Sequence, residues 1–174
     1  MKLFLQAVTM SASIALAGPA AAALAAGTPA ADFSVQSVQG SETTPLRLSE
    51  LLTQGPVVVF FLPYIYSGAS ASECRAFADS IDAFRAAGAT VIGMSRDPSE
   101  DLARFSANEC AGKIPMVSAD PALVNSFDVN DSANFATRTT YVIAPSGEIV
   151  FVYNQDDHSG HASRALAFVQ GMSN

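Results

Sequence analysis

Residues 57–62 read Val57-Val58-Val59-Phe60-Phe61-Leu62, an unbroken apolar run of β-branched and aromatic side chains closed by one leucine. A short run with no polar alternation predicts a strand buried on both faces, the centre of a parallel sheet, and such a strand needs helices packed on either side. The next segment supplies one. From Ser70 to Ala87 the period becomes helical, with Cys74, Phe77, Ile81 and Phe84 on one face and Gly88 as the stop.

The rest of the chain repeats the alternation. Asp32 to Val35 predicts an edge strand, Ser49 to Leu52 a helical turn, and Thr90 to Met94 a second inner strand. Asp97-Pro98-Ser99-Glu100 reads as an N-cap, a proline at the first helical position and a capping-box glutamate, opening a helix to about Cys110. Ile114 to Val117 predicts a strand, and Asp120-Pro121 a second capped helix to Phe127. Thr139 to Ile143 and Ile149 to Tyr153 form a hairpin, and a helix from Gly160 to Gln170 closes the chain. This order implies right-handed crossovers and an α/β sheet, mainly parallel and closed by an antiparallel hairpin, in a thioredoxin-like fold. In such a sheet a ligand site lies beyond the end of strand 57–62, where the first long helix starts.

No charged residue stands between Lys2 and Asp32. A lysine, an apolar stretch from Leu3 to about Ala17 and a small-residue tract have the layout of a secretory signal peptide. Ala23-Leu24-Ala25 fits a small-x-small cleavage site, so the expectation is a leader over 1–25 and one domain over 26–174. Gln6, Thr9, Ser11, Ser13, Gly18 and Pro19 break the apolar stretch and argue against a membrane anchor. The expected location is therefore outside the cytoplasm, in the periplasm. Sixteen acidic residues against nine basic ones, one of them Lys2, leave no electrostatic reason to bind nucleic acid or an anionic membrane surface.

Cys74 and Cys110 are the only cysteines, too few for a disulfide scaffold or a zinc site. In an exported protein such a pair means one disulfide or redox chemistry. Asp156, Asp157, His158 and His161 read as a solvated turn and an acidic helix start rather than a metal site. Tyr64 and Tyr66 read as half-buried loop aromatics.

The predicted site holds Pro63-Tyr64-Ile65-Tyr66-Ser67-Gly68-Ala69-Ser70-Ala71-Ser72-Glu73-Cys74. This resembles the peroxiredoxins of the bacterioferritin-comigratory-protein or Q type, whose signature is Pro-x-x-x-Thr/Ser-x-x-Cys. Pro63 and Ser67 match it, and Ser70 stands where the family has its peroxidatic cysteine. Glu73 and Phe77, the stretch Gly88-Ala89 to Asp97, the segment Phe105 to Cys110, similar to one in periplasmic members, and the run Arg138 to Ile149 resemble further family segments and fix the register. The resemblance covers about residues 28–170.

The resemblance implies thiol-dependent reduction of hydrogen peroxide or organic hydroperoxides, with a thioredoxin-like dithiol as reductant. It implies no metal and no organic cofactor, and a monomer or homodimer. Arg138 would hold the reacting thiolate and polarise the peroxide, Ser67 would bond the peroxide oxygens, and Pro63 would shield the site. Ser70 cannot form a sulfenic acid. It is read as natural divergence rather than an introduced substitution, because the chain keeps its leader and carries no tag.

Three readings follow: an inherited peroxidase site, a catalytically silent binding module on the same fold, or a dithiol oxidoreductase running on Cys74 and Cys110. Cys74 and Cys110 each lie four residues beyond Ser70 and Ser106, positions that Q-type relatives can bridge. Cys74 shares its stripe with Phe77 and Ile81, so the expectation is a buried thiol. Reaching Cys110 would then require the start of the helix to unwind, and both cysteines are expected to be free at rest.

Overall fold

In the computed structural model, which describes residues 23–131, 133 and 135–172, the run 57–62 forms the centre of the molecule. Strand β3 (Val57–Phe61) is wholly buried because its alternate side chains enter two separate cores. Val58 and Phe60 face one layer, Val59 and Phe61 the other. The full order is β1 (Ser34–Gln39), β2 (Glu42–Arg47), α1 (Leu48–Leu51), β3, α2 (Gly68–Asp79), α3 (Ile81–Ala86), β4 (Thr90–Ser95), α4 (Ser99–Glu109), β5 (Met116–Ser118), α5 (Pro121–Ser126), β6 (Thr139–Ile143), β7 (Ile149–Asn154) and α6 (His161–Met172).

The seven strands make one sheet in the order β2-β1-β5-β4-β3-β6-β7. Parallel pairing is confined to its centre, β3 with β4 and β4 with β5, so the sheet is mixed rather than mainly parallel as the strand–helix alternation implied. The flanking pairs are antiparallel: β1 with β2 and β5, and β6 with β3 and β7. This is the mixed, helix-flanked sheet of the thioredoxin-like class. The β1–β2 hairpin goes beyond the sequence reading, which carried no strand through Pro45. Proline is tolerated there because β2 is an edge strand and needs no second row of hydrogen bonds.

The helix expected over 70–87 is divided at Ser80, whose backbone (φ −95°, ψ 0°) leaves helical geometry between α2 and α3. Its apolar stripe still faces one core, with the Phe60 and Phe77 rings stacked at 4.2 Å. Asp120 caps α5 as expected, accepting the Leu123 amide at 2.8 Å. Asp97 does not cap α4, whose N-cap is Pro98. Its carboxylate instead accepts the Ile65 amide at 3.1 Å and the Ser95 hydroxyl, tying the loop after β3 to the end of β4.

Most of the expected leader, residues 1–22, lies outside the described residues. Ala23 and Leu24 pack against the β1–α5 side of the core, and the Leu24 amide donates to the Tyr141 hydroxyl at 3.0 Å.

Candidate active site

The loop 62–67 leaves the central strand and turns into α2, so the first turn of that helix sits beyond the strand end, as the sheet topology requires. Ser67 is the N-cap, and its Oγ accepts the Ser70 amide at 3.1 Å. The hydroxyls of Ser67 and Ser70 are 3.0 Å apart, and Ser70 donates to the Tyr64 carbonyl at 2.7 Å. Ser70 is buried, Ser67 and Pro63 are partly exposed, and the helix dipole points its positive end at this spot. Tyr64, Tyr66 and Phe135 form an exposed aromatic rim, with ring centroids 5.2 Å and 6.2 Å from that of Tyr64. Beside Ser67 and Gly68 opens a groove of about 460 Å³, walled by Ile65, Ala71 and Phe105 and edged by Asp101 and Arg104.

Arg138 enters from the residue before β6 and is 6% exposed. Its partner is the wholly buried Glu73, one turn into α2, through Nη1 and Oε2. The Glu73 carboxyl is pushed up to about 7 by burial, against the pull of the Arg138 guanidinium. The structure thus puts Ser67 and Ser70 together at the start of α2, with Pro63 in the loop before it, and pairs Arg138 with Glu73 one turn further along the helix. Sequence reading used Glu73 only to fix the register. The available signal was a carboxylate on an apolar stripe, between Ser70 and Phe77, where an ionisable group needs a partner.

His161 departs from its sequence reading too. It is not part of a solvated turn but wholly buried, with Nδ1 2.8 Å from the Thr140 hydroxyl and Nε2 3.0 Å from the Gln155 carbonyl. His158 keeps 41% of its side chain exposed, so the two histidines do not form one cluster. The spacing His161, Ala165, Val169 along one face of α6 was the legible sign that this histidine points inward.

The expectation of free thiols is corrected. Cys74 and Cys110 form a disulfide between α2 and α4, with Cα atoms 5.2 Å apart and both residues wholly buried. No unwinding of α2 is required. Cys110 is the C-cap of α4, already off the helical path (φ −105°, ψ 16°), so its side chain turns towards the face that Cys74 shares with Phe77. That Cα separation lies within the range a disulfide accommodates. Arg75 and Glu109, the adjacent residues, pair on the outer side of the same two helices. Ser106 is engaged elsewhere, donating to the Ile114 carbonyl at 2.7 Å.

A capped helix start beyond the central strand of a mixed, helix-flanked sheet defines a thioredoxin-like protein. The family model described as AhpC/TSA matches residues 26–152, and the chain belongs to that family. Peroxiredoxin Bcp of Xanthomonas campestris pv. campestris is 30% identical over 148 residues, covering 80% of this chain and 90% of its own length. Chloroplastic peroxiredoxin Q of Sedum lineare is 31% identical over 142 residues, covering 78% and 74%. Among solved structures, peroxidoxin BcpB from Mycobacterium tuberculosis aligns with a TM-score of 0.76 at 30% identity, covering 84% of this chain and 97% of that one. A cysteine-to-serine mutant of Xylella fastidiosa PrxQ aligns at 0.77 with 26% identity, covering 87% and 98%.

Proposed function

We propose that this protein is an exported, thiol-dependent peroxide reductase whose reacting sulfurs are Cys74 and Cys110. The bridge between them carries the reading. It joins the helix that opens at the groove beside Ser67 and Gly68 to the helix beside it, and Ser70 cannot itself be oxidised by peroxide. In the reduced protein the Cys74 thiolate attacks one peroxide oxygen, the O–O bond breaks, and the second oxygen leaves as water or an alcohol after taking a proton. Cys74 is then a sulfenic acid. The Cys110 thiol attacks it, water leaves, and the bridge forms again. A thioredoxin-like dithiol reduces the bridge and is itself oxidised to a disulfide. Hydrogen peroxide and organic hydroperoxides both fit this chemistry, and Arg138, held by Glu73, puts a buried positive charge beside α2. A leader over 1–25 would place the chain in the periplasm, where a bridge is stable.

Total burial of both cysteines favours a second reading, in which the bridge is a staple and the scaffold is catalytically silent. Peroxide consumption driven by a dithiol reductant, with and without Cys74→Ala, separates the two.

A further inference from the structure

Glu73 Oε1 is buried and accepts no hydrogen bond from the described residues, although its sister oxygen Oε2 takes Arg138. Nδ1 of His161 lies 3.5 Å from this orphan oxygen. Nε2 of His161 faces the Gln155 carbonyl, which can only accept, so Nε2 carries a hydrogen in every state. With a neutral imidazole the Nδ1 lone pair takes the Thr140 hydroxyl at 2.8 Å, so nothing among the described residues donates to an ionised Glu73 Oε1 inside the core. Burial without a donor is costly for such an oxygen. One added proton removes the conflict, either on Oε1, which leaves Glu73 neutral, or on Nδ1, which sets an imidazolium 3.5 Å from the carboxylate.

We propose that Glu73 and His161 share one ionisable proton, carried on Oε1 or on Nδ1, which makes His161 a positioning residue for the Glu73–Arg138 pair. With the proton in place, Arg138, Glu73 and His161 together carry a single net positive charge, whichever atom holds it. When the proton leaves, the cluster is neutral, and a thiolate introduced at position 70, one turn before Glu73, loses that counter-charge. The coupling is reciprocal, so an anion at position 70 also raises the proton affinity of the pair.

The groups facing the pair come from every element around it. Arg138 and Thr140 approach from the β6 side, and Tyr153 of β7 meets the His161 ring edge-on at 4.7 Å. Arg164 lies over the Tyr153 ring at 5.0 Å. Asp157 and His158 act on His161 through charge from the preceding loop. Burial pushes the Glu73 carboxyl up to about 7 and the imidazole of His161 down, so the pair keeps its proton to about neutrality.

Nitrogen-15 NMR of the intact protein tests the shared proton, with the more exposed His158 as a control in the same spectra. We expect the Nδ1 resonance of His161 to move in one step near neutral pH. Glu73→Gln should abolish that step, while the side-chain amide oxygen of the variant keeps an acceptor in front of Arg138. An unchanged His161 titration in Glu73→Gln overturns the proposal. Should that variant not fold, the carbon-13 signal of the Glu73 carboxyl in His161→Gln decides instead. A fall of at least ~10-fold in its proton affinity supports the proposal, and an unmoved titration overturns it. The effect on the Glu73–Arg138 pair is read separately, through a thiol introduced at position 70. In Ser70→Cys, adding His161→Gln should slow alkylation of the introduced thiol at pH 6 by at least ~5-fold, through loss of thiolate. An unchanged alkylation rate overturns the positioning role while leaving the NMR result standing.

Discussion

Cys74 and Cys110 stand one helical turn beyond Ser70 and Ser106, and they join α2 to α4 while the two serines are bonded to backbone carbonyls. Cys74 therefore lies about 6 Å further along α2 than Ser70. That offset governs how the protein should behave, both as a folded chain and as a reagent.

The bridge closes a loop with a sequence separation of 36 residues. Chain entropy puts its contribution at about 4 kcal/mol. We predict that chemical denaturation under reducing conditions, or of Cys110→Ala, shows a loss of about that size, and that freshly isolated protein resists alkylation until it is reduced. Quantitative labelling of the native protein, or a stability change below about 1 kcal/mol, would contradict the bridge.

Glu73 gives the stability a pH dependence of definite sign. Its carboxyl is raised in the folded protein to about 7, above its usual value. Between those two values the native state binds more protons than the unfolded chain, so stability is full below the unfolded value and falls as pH rises towards 7. Glu73→Gln should flatten this fall, and the difference from wild type should amount to at most ~3 kcal/mol. Arg138→Met removes the charged partner that Glu73 bonds, and should cost about 3 kcal/mol above pH 7 and clearly less near pH 5, where the carboxyl can stay protonated. Denaturant midpoints across pH 5–8 measure both effects, and parallel profiles for wild type and Glu73→Gln would contradict them.

The placement of these groups shows what the chain made legible. The two inner strands, the α5 cap and a helix opening beyond the central strand all follow from local rules: an apolar run, a change of period, an Asp-Pro start. What was not legible depends on contacts between distant segments. Glu73 and Arg138 are 65 residues apart in sequence, and no local rule pairs them. The bridge turned on the backbone of Cys110, where the end of α4 frees the side chain to face α2; a helical reading carried through Cys110 hides that freedom. Asp97 had the sequence of an N-cap, but the Ile65 amide and Ser95 hydroxyl offered its carboxylate better-placed donors.

The leader reading makes its own prediction. Intact-mass analysis of protein isolated from the native host should show cleavage after Ala25. Such a cut removes the Leu24 amide from Tyr141, whose hydroxyl keeps its bond to the Phe127 carbonyl at 2.8 Å. Full-length protein retained in the cytoplasm would contradict export.

The central claim is that Cys74 and Cys110 carry the peroxide chemistry from one turn below the pocket. Stopped-flow peroxide consumption with a dithiol reductant tests it on wild type, Cys74→Ala and Ser70→Cys. A reacting sulfur displaced from the pocket by a helical turn should cost at least ~100-fold in rate, so wild type should turn over that much more slowly than Ser70→Cys. Cys74→Ala should then abolish the wild-type turnover. Equal consumption by wild type and Cys74→Ala, or no consumption by wild type at all, would contradict the claim and leave the bridge as a staple.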